Sequence, residues 1–133
     1  MDFSIDTLSE KNLKQLHIRL CTLLLTEQFY EIGAYTIDVK NNLLIFEDEK
    51  ISIFLKKSHL LVYFAVNINQ ILLREDIQSI VWNKIDSESE RLMDAYIIEL
   101  RELLSKDPNI WILNIRGKGY YMMVKKFSAV ADL

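Results

Sequence analysis

At 133 residues the chain is long enough to fold as one domain around its own core. Its composition is 50% hydrophobic and 26% charged, with three glycines and one proline, which excludes a disordered or low-complexity chain. A formal net charge of −3 excludes nucleic-acid binding by bulk charge, so any such binding needs a segregated basic face.

Thr7-Leu8-Ser9-Glu10 has the spacing of a capping box. Leu13, Leu16, Leu20 and Leu23 follow at alternating steps of three and four, which predicts a helix from about Leu8 to Thr26. Two heptads are too few for a free-standing coiled coil, so this stripe either docks on the following domain or pairs with a second copy. Three strand-like runs come next: Ala34–Val39, Leu43–Phe46 after Lys40-Asn41-Asn42, and Ile51–Leu55 after Glu47-Asp48-Glu49-Lys50. Their short spacing and turn residues predict an antiparallel meander.

The middle of the chain reads as helical. Ser58–Val66 is strongly apolar and ends at Asn67-Ile68-Asn69, and Arg74–Asn83 turns Ile77, Ile80 and Val81 inward. Ser87-Glu88-Ser89-Glu90 has capping-box spacing and opens a long helix to about Ser105, with Met93, Ile97, Leu100 and Leu104 as its core stripe. Asp107-Pro108-Asn109 ends it, because proline disfavours helix at the residue before it. Trp111–Arg116, Gly117-Lys118-Gly119 and Tyr120–Val124 form a terminal β-hairpin, with glycines permitting positive φ in the turn.

The longest apolar runs, Leu60–Val66 and Leu20–Leu25, are far too short to span a bilayer, and the N-terminus lacks the order of a signal peptide. The expectation is a cytoplasmic protein, with the lone Cys21 a buried thiol on its helical stripe. No phosphate-binding loop, dinucleotide motif or zinc-protease motif is present, and His17 and His59 lie far apart with no cysteine beside them. Glu47-Asp48-Glu49 reads as a hairpin tip, and Glu88 and Glu90 suit a helix N-terminus. These features predict a non-catalytic domain without metal or cofactor.

Three short helices followed by a hairpin, with a sheet in front, resemble the winged-helix effector domain of OmpR/PhoB-type response regulators. Leu73-Arg74-Glu75-Asp76-Ile77 and Val81-Trp82 resemble the family's second helix, and Arg91 follows Trp82 by nine residues, the family's spacing to its recognition helix. Arg91–Arg101 resembles the recognition helix itself, Ile115-Arg116-Gly117-Lys118-Gly119-Tyr120 resembles the wing, and Tyr30-Glu31-Ile32-Gly33 leads into a comparable sheet. The implied class is α+β: an antiparallel sheet, a three-helix core and a C-terminal wing, preceded by an extra helix. Residues 1–29 would be helix and linker, either a remnant of a receiver domain or a dimerisation helix. Residues 30–126 would be the winged-helix domain and 127–133 a tail. A whole receiver needs about 120 residues, for which this chain has no room, so its phosphorylated aspartate would lie elsewhere.

The resemblance implies a DNA-binding transcriptional regulator whose recognition helix spans about 88–105 and whose wing spans about 111–124. Arg91 and Arg101 stand at family arginines, and Tyr96 stands where a histidine is usual and can still donate to phosphate. Arg116 matches a minor-groove arginine and Asn114 a nearby polar contact, while Arg116, Lys118, Lys125 and Lys126 form a basic cluster. Ile98, Glu99 and Glu102 replace residues that are typically basic or polar. A helical wheel turns Glu88, Arg91, Leu92, Ala95, Tyr96, Glu99 and Glu102 outward, one cation against three carboxylates. Two readings remain open. The domain binds duplex DNA anchored by its wing, or the fold is kept and Leu92, Ala95, Tyr96 and Leu103 form an apolar patch for a protein. A homodimer and a separate receiver are further partners that fit the resemblance; a membrane is not.

Overall fold

The computed structural model describes residues 27–125. The expected N-terminal helix with His17 and Cys21, and the tail with Lys126, lie outside the described residues. Strands β1 (Phe29–Ile32), β2 (Tyr35–Asp38), β3 (Leu43–Phe46) and β4 (Glu49–Ser52) form an antiparallel meander in chain order. Helix α1 (Leu55–Ala65) follows, then β5 (Ile71–Leu73), α2 (Arg74–Trp82) and α3 (Ser87–Leu103). The hairpin of β6 (Ile110–Ile115) and β7 (Gly119–Val124) closes the domain, and β7 lies between β5 and β6 in a second antiparallel sheet.

The expected meander gains a fourth strand. In β1, Tyr30 and Ile32 point inward and Phe29 and Glu31 outward, a period-two pattern too short to stand out in the sequence. The expected strand Ile51–Leu55 stops at Ser52, and α1 begins at Leu55 rather than Ser58. The start of this helix has no side-chain cap and no acid in its first turn, so the usual start signals are missing. β5 is only three residues long, and the sequence offers no alternation to reveal it.

α1 sits between the two halves of the domain, packing on β1 and β2 on one side and on α2 and α3 on the other. Leu60, Leu61, Val62, Tyr63 and Phe64 are consequently each no more than 1% exposed, so the second half of this helix is buried on every side while its first turn, with Leu55 and Lys56, is exposed. α2 ends at Asn83, whose left-handed φ of 57° suits an asparagine, and its N–H returns to the Ser79 carbonyl. The cap of α3 falls one residue before the expected box. The Asp86 Oδ1 accepts from the Ser89 N–H at 2.8 Å, and the Ser89 Oγ accepts from the Asp86 N–H at 3.1 Å. That Ser89 N–H is the main reason the Asp86 carboxyl is held below the usual carboxylate range. Gln78 then donates to Ser89 Oγ at 2.9 Å and to the Asp86 carbonyl at 3.1 Å, which fixes α2 against the start of α3.

Asp107 joins the meander to the helices. Its Oδ2 accepts from the Ala34 N–H at 2.8 Å and its Oδ1 from the Asn109 N–H at 2.9 Å, while the Lys106 N–H donates to the buried Tyr35 hydroxyl at 3.1 Å. Gly33 makes this approach possible, since it holds φ +55° and a Cβ there would lie 2.4 Å from Asp107 Oδ2. Asp107→Ala leaves the Ala34 and Asn109 donors without their acceptor; the expected loss, read by urea unfolding, is about 2–4 kcal/mol.

Candidate nucleic-acid interface

The residues that the resemblance implies as contacts lie on α3 and on the β6–β7 hairpin. The core stripe of α3 is as expected, with Met93, Ile97 and Leu100 fully buried and Leu104 nearly so. The opposite stripe, facing solvent, is Glu88, Arg91, Ala95, Ile98 and Glu102. This corrects the wheel at Leu92, Tyr96 and Glu99, which lie on the flank of the helix, and the expected patch at Leu103, which is half-buried as well. Leu92, Tyr96 and Leu103 pack against the core, and the Tyr96 ring meets Trp82 edge-on at 5.3 Å. The expected apolar protein-binding patch therefore keeps only Ala95 on the exposed surface. Glu99 pairs with Lys57 of α1 at 2.5 Å, and Lys57 also sits 5.7 Å from the centre of the Tyr96 ring.

The implied contact residues divide into two groups. Arg91, Asn114, Arg116 and Lys118 are exposed, and neither Arg91, Arg116 nor Lys118 enters an ion pair with a described residue. Tyr96 is half-buried. Arg101 is exposed, yet its Nε and Nη2 donate to the Ile112 carbonyl at 3.0 and 2.7 Å, so its fork braces the hairpin against α3. Asn114 and Arg116 lie on either side of Ile115 at the tip of the hairpin, where Gly117 holds φ +75°. Gly119 does not share that role. It is needed because β5 runs so close that a Cβ would lie 1.9 Å from the Leu72 carbonyl oxygen.

A second group was not legible as functional. Arg74, at the start of α2, donates to both carboxylate oxygens of Asp94 at 3.1 and 3.0 Å, and Glu90 lies 3.5 Å away. The Tyr120 hydroxyl donates to Asp94 Oδ1 at 2.6 Å, with the Arg74 guanidinium 5.8 Å from its ring centre. The Lys118 carbonyl accepts from the Arg74 N–H at 3.0 Å. One carboxylate thus ties α2, α3 and the hairpin together. Burial alone would raise the Asp94 carboxyl, but the hydrogen bonds from Arg74 and Tyr120 and the guanidinium charge outweigh it, and the net shift is downward. Among the described residues no cluster of three or more histidine, cysteine or acidic side chains could hold a metal ion, and no helix is long and apolar enough to cross a membrane.

A meander, three helices and a hairpin that pairs with a short strand before the second helix define a winged helix of the response-regulator effector type. The chain belongs to the family described as transcriptional regulatory protein, C terminal, whose model matches residues 48–122. Transcriptional regulatory protein RprY of Bacteroides fragilis is 35% identical over 94 residues, which are 71% of this chain and 40% of that protein. The chain thus spans less than half the length of that relative. The DNA-binding domain of CpxR from E. coli superposes with a TM-score of 0.66 at 24% identity, covering 75% of this chain and 100% of that one. Response regulator DrrB of Thermotoga maritima, an OmpR/PhoB homologue, gives 0.60 at 25% identity, covering 73% and 45%. The resemblance read from the sequence and the winged-helix class are both borne out.

Because the folded-state pKa of Asp94 is depressed, its contribution to stability is present above the ordinary carboxylate range and is lost as pH falls through the folded value. Asp94→Asn is therefore expected to melt below the wild type at neutral pH. The gap should close on acidification below about pH 4, as followed by thermal melts across a pH series. A gap independent of pH would show that the carboxylate charge does not hold the three elements together.

Proposed function

We propose that this domain is a non-catalytic, cytoplasmic effector that binds duplex DNA, with α3 in the major groove and the β6–β7 hairpin against the adjacent minor groove. The observation that carries this reading is the allocation of cations. Lys57, Arg74, Lys84 and Lys106 are each held by carboxylates, whereas Arg91, Arg116 and Lys118 stand as exposed cations on α3 and the hairpin tip without an ion pair among the described residues; Lys40, Lys50 and Lys125 are exposed and without an ion pair as well, but lie outside α3 and that tip. Phosphate neutralisation needs cations of this kind, which have no internal partner to surrender. Asn114 beside Arg116 supplies an amide for the groove floor. Tyr96 and Arg101 act chiefly as positioning residues: one packs on Trp82 and the other grips the Ile112 carbonyl. The family assignment and the DNA-binding domain of CpxR support the same reading.

The working unit is residues 30–126, with the preceding residues as linker or dimerisation element and a receiver domain, on a longer parent or another protein, as the source of control. The carboxylates of Glu88 and Glu102 on the exposed stripe weaken affinity. Glu88 is partly neutralised by an ion pair with Lys84, which leaves Glu102 as the stronger repulsive charge.

Binding titrations on random duplex DNA at several salt concentrations test this. Arg91→Ala, Arg116→Ala and Lys118→Ala should each weaken binding and flatten the log–log salt slope by about 0.9 per lost phosphate contact. Glu102→Arg should tighten binding and steepen the slope. Glu99→Arg is not the equivalent test, because it would set a second cation beside Lys57. Failure of both wild type and Glu102→Arg to retain any duplex at low salt would exclude the DNA reading.

A further inference from the structure

The exposed stripe of α3 is charged at its ends and apolar in its middle. Ile98 is 63% exposed, more than any other large hydrophobic residue among those described except Phe54. The neighbouring apolar residues of the same helix, Met93, Ile97 and Leu100, are completely buried, so an isoleucine held in water here adds nothing to the core. Ala95 lies one turn before it on the same stripe and is also exposed.

Among the base edges lining a major groove, the distinctive apolar group is the C5 methyl of thymine. Neither Ala95 nor Ile98 can donate or accept a hydrogen bond, so neither can read the polar edges of guanine, adenine or cytosine. Three residues of helix rise about 4.5 Å, close to the roughly 3.4 Å between stacked base pairs, so the two side chains reach neighbouring steps. Arg91 lies one turn before Ala95 and Glu102 one turn after Ile98. The cation is suited to a phosphate or a guanine, and the carboxylate marks the end of the apolar stretch.

We propose that Ile98, assisted by Ala95, recognises thymine methyl groups, so that the domain selects sites with one or two consecutive thymines beneath the middle of α3. This specificity rests on the DNA-binding reading above. Ile98 acts by excluding water from the methyl, and a base without that methyl leaves the side chain facing hydrated groove.

The full chain is used to enrich duplexes from a random pool, and the tightest-binding duplex is resynthesised with uracil in place of thymine. The exchange deletes the methyl and keeps every phosphate and every hydrogen-bonding edge. Binding by the wild type is expected to weaken about fourfold per buried methyl. Ile98→Ala, whose melting temperature should match the wild type because the side chain is exposed, should lose most of the preference for thymine over uracil, keeping only the share due to Ala95. Indifference of the wild type to uracil, or an Ile98→Ala protein that discriminates as strongly as the wild type, overturns the assignment and leaves DNA binding intact. A chain that enriches no duplex at low salt overturns the DNA reading and this inference with it.

Discussion

The Asp94 carboxylate is the point on which the geometry of this domain depends. It receives two bonds from Arg74 and one from Tyr120, so the start of α2, the middle of α3 and the central strand of the hairpin sheet meet at one pair of oxygens. Without it, α3 and the hairpin would be joined through the Arg101 grip on Ile112 and by apolar packing, which is far less directional. The proposed contact with two grooves needs the spacing between helix and hairpin to be fixed before a ligand is met, since any ordering left until then subtracts from affinity. The second clamp, Asp107, does the same for the meander. It holds the Gly33–Ala34 turn against the loop leaving α3 and so keeps α1 enclosed between the two halves.

An acidic chain can still present exposed, unpaired cations, as the assignment of its charges shows. Much of the acid is internal scaffolding. Asp94 serves the three-element junction, Asp86 the cap of α3, Asp107 the sheet-to-helix clamp, and Glu49 and Glu99 are matched to lysines. Asp38 is likewise occupied, accepting from Asn41 and Gln28. What remains for solvent on α3 and the hairpin tip is a mixture in which the unmatched cations stand at Arg91, Arg116 and Lys118. Net charge averages over these two populations, and only the second one meets a partner.

Much of the fold was legible in the sequence, because its elements obey strong periodic rules. The stripe Met93–Ile97–Leu100–Leu104 and the alternation in β2 identify their buried faces directly, and the paired glycines mark the hairpin of β6 and β7. The misses fall where a rule has too few residues to act on or is broken. β1 and β5 are four and three residues long, and α1 starts behind an uncapped phenylalanine. The candidate site was legible in part. The exposed cations Arg91, Arg116 and Lys118 could be picked from the resemblance, but the duties of Tyr96, Glu99 and Arg101 depend on what lies across from them. Trp82, Lys57 and the Ile112 carbonyl are separated from those residues in sequence by distances that no local pattern encodes. The Arg74–Asp94–Tyr120 junction is the extreme case, spanning 46 residues with no motif linking its members. A wheel drawn at a uniform angle also cannot decide the edges of a helix face, which is why Leu92 and Tyr96 were assigned outward and prove half-buried.

The chain has two tryptophans, and the fold gives them opposite surroundings. Trp82 is 7% exposed and in edge contact with Tyr96 of α3, while Trp111 is 45% exposed on the outer side of the hairpin sheet. Their light emission therefore reports on different things. A soluble quencher reaches the indole of Trp111 and leaves that of Trp82, so the protected signal follows the seating of α3 on α2, and the accessible one follows whatever approaches the back of the sheet. The protein carries its own pair of optical sensors, one for the seating of α3 and one for the outer face of the hairpin sheet.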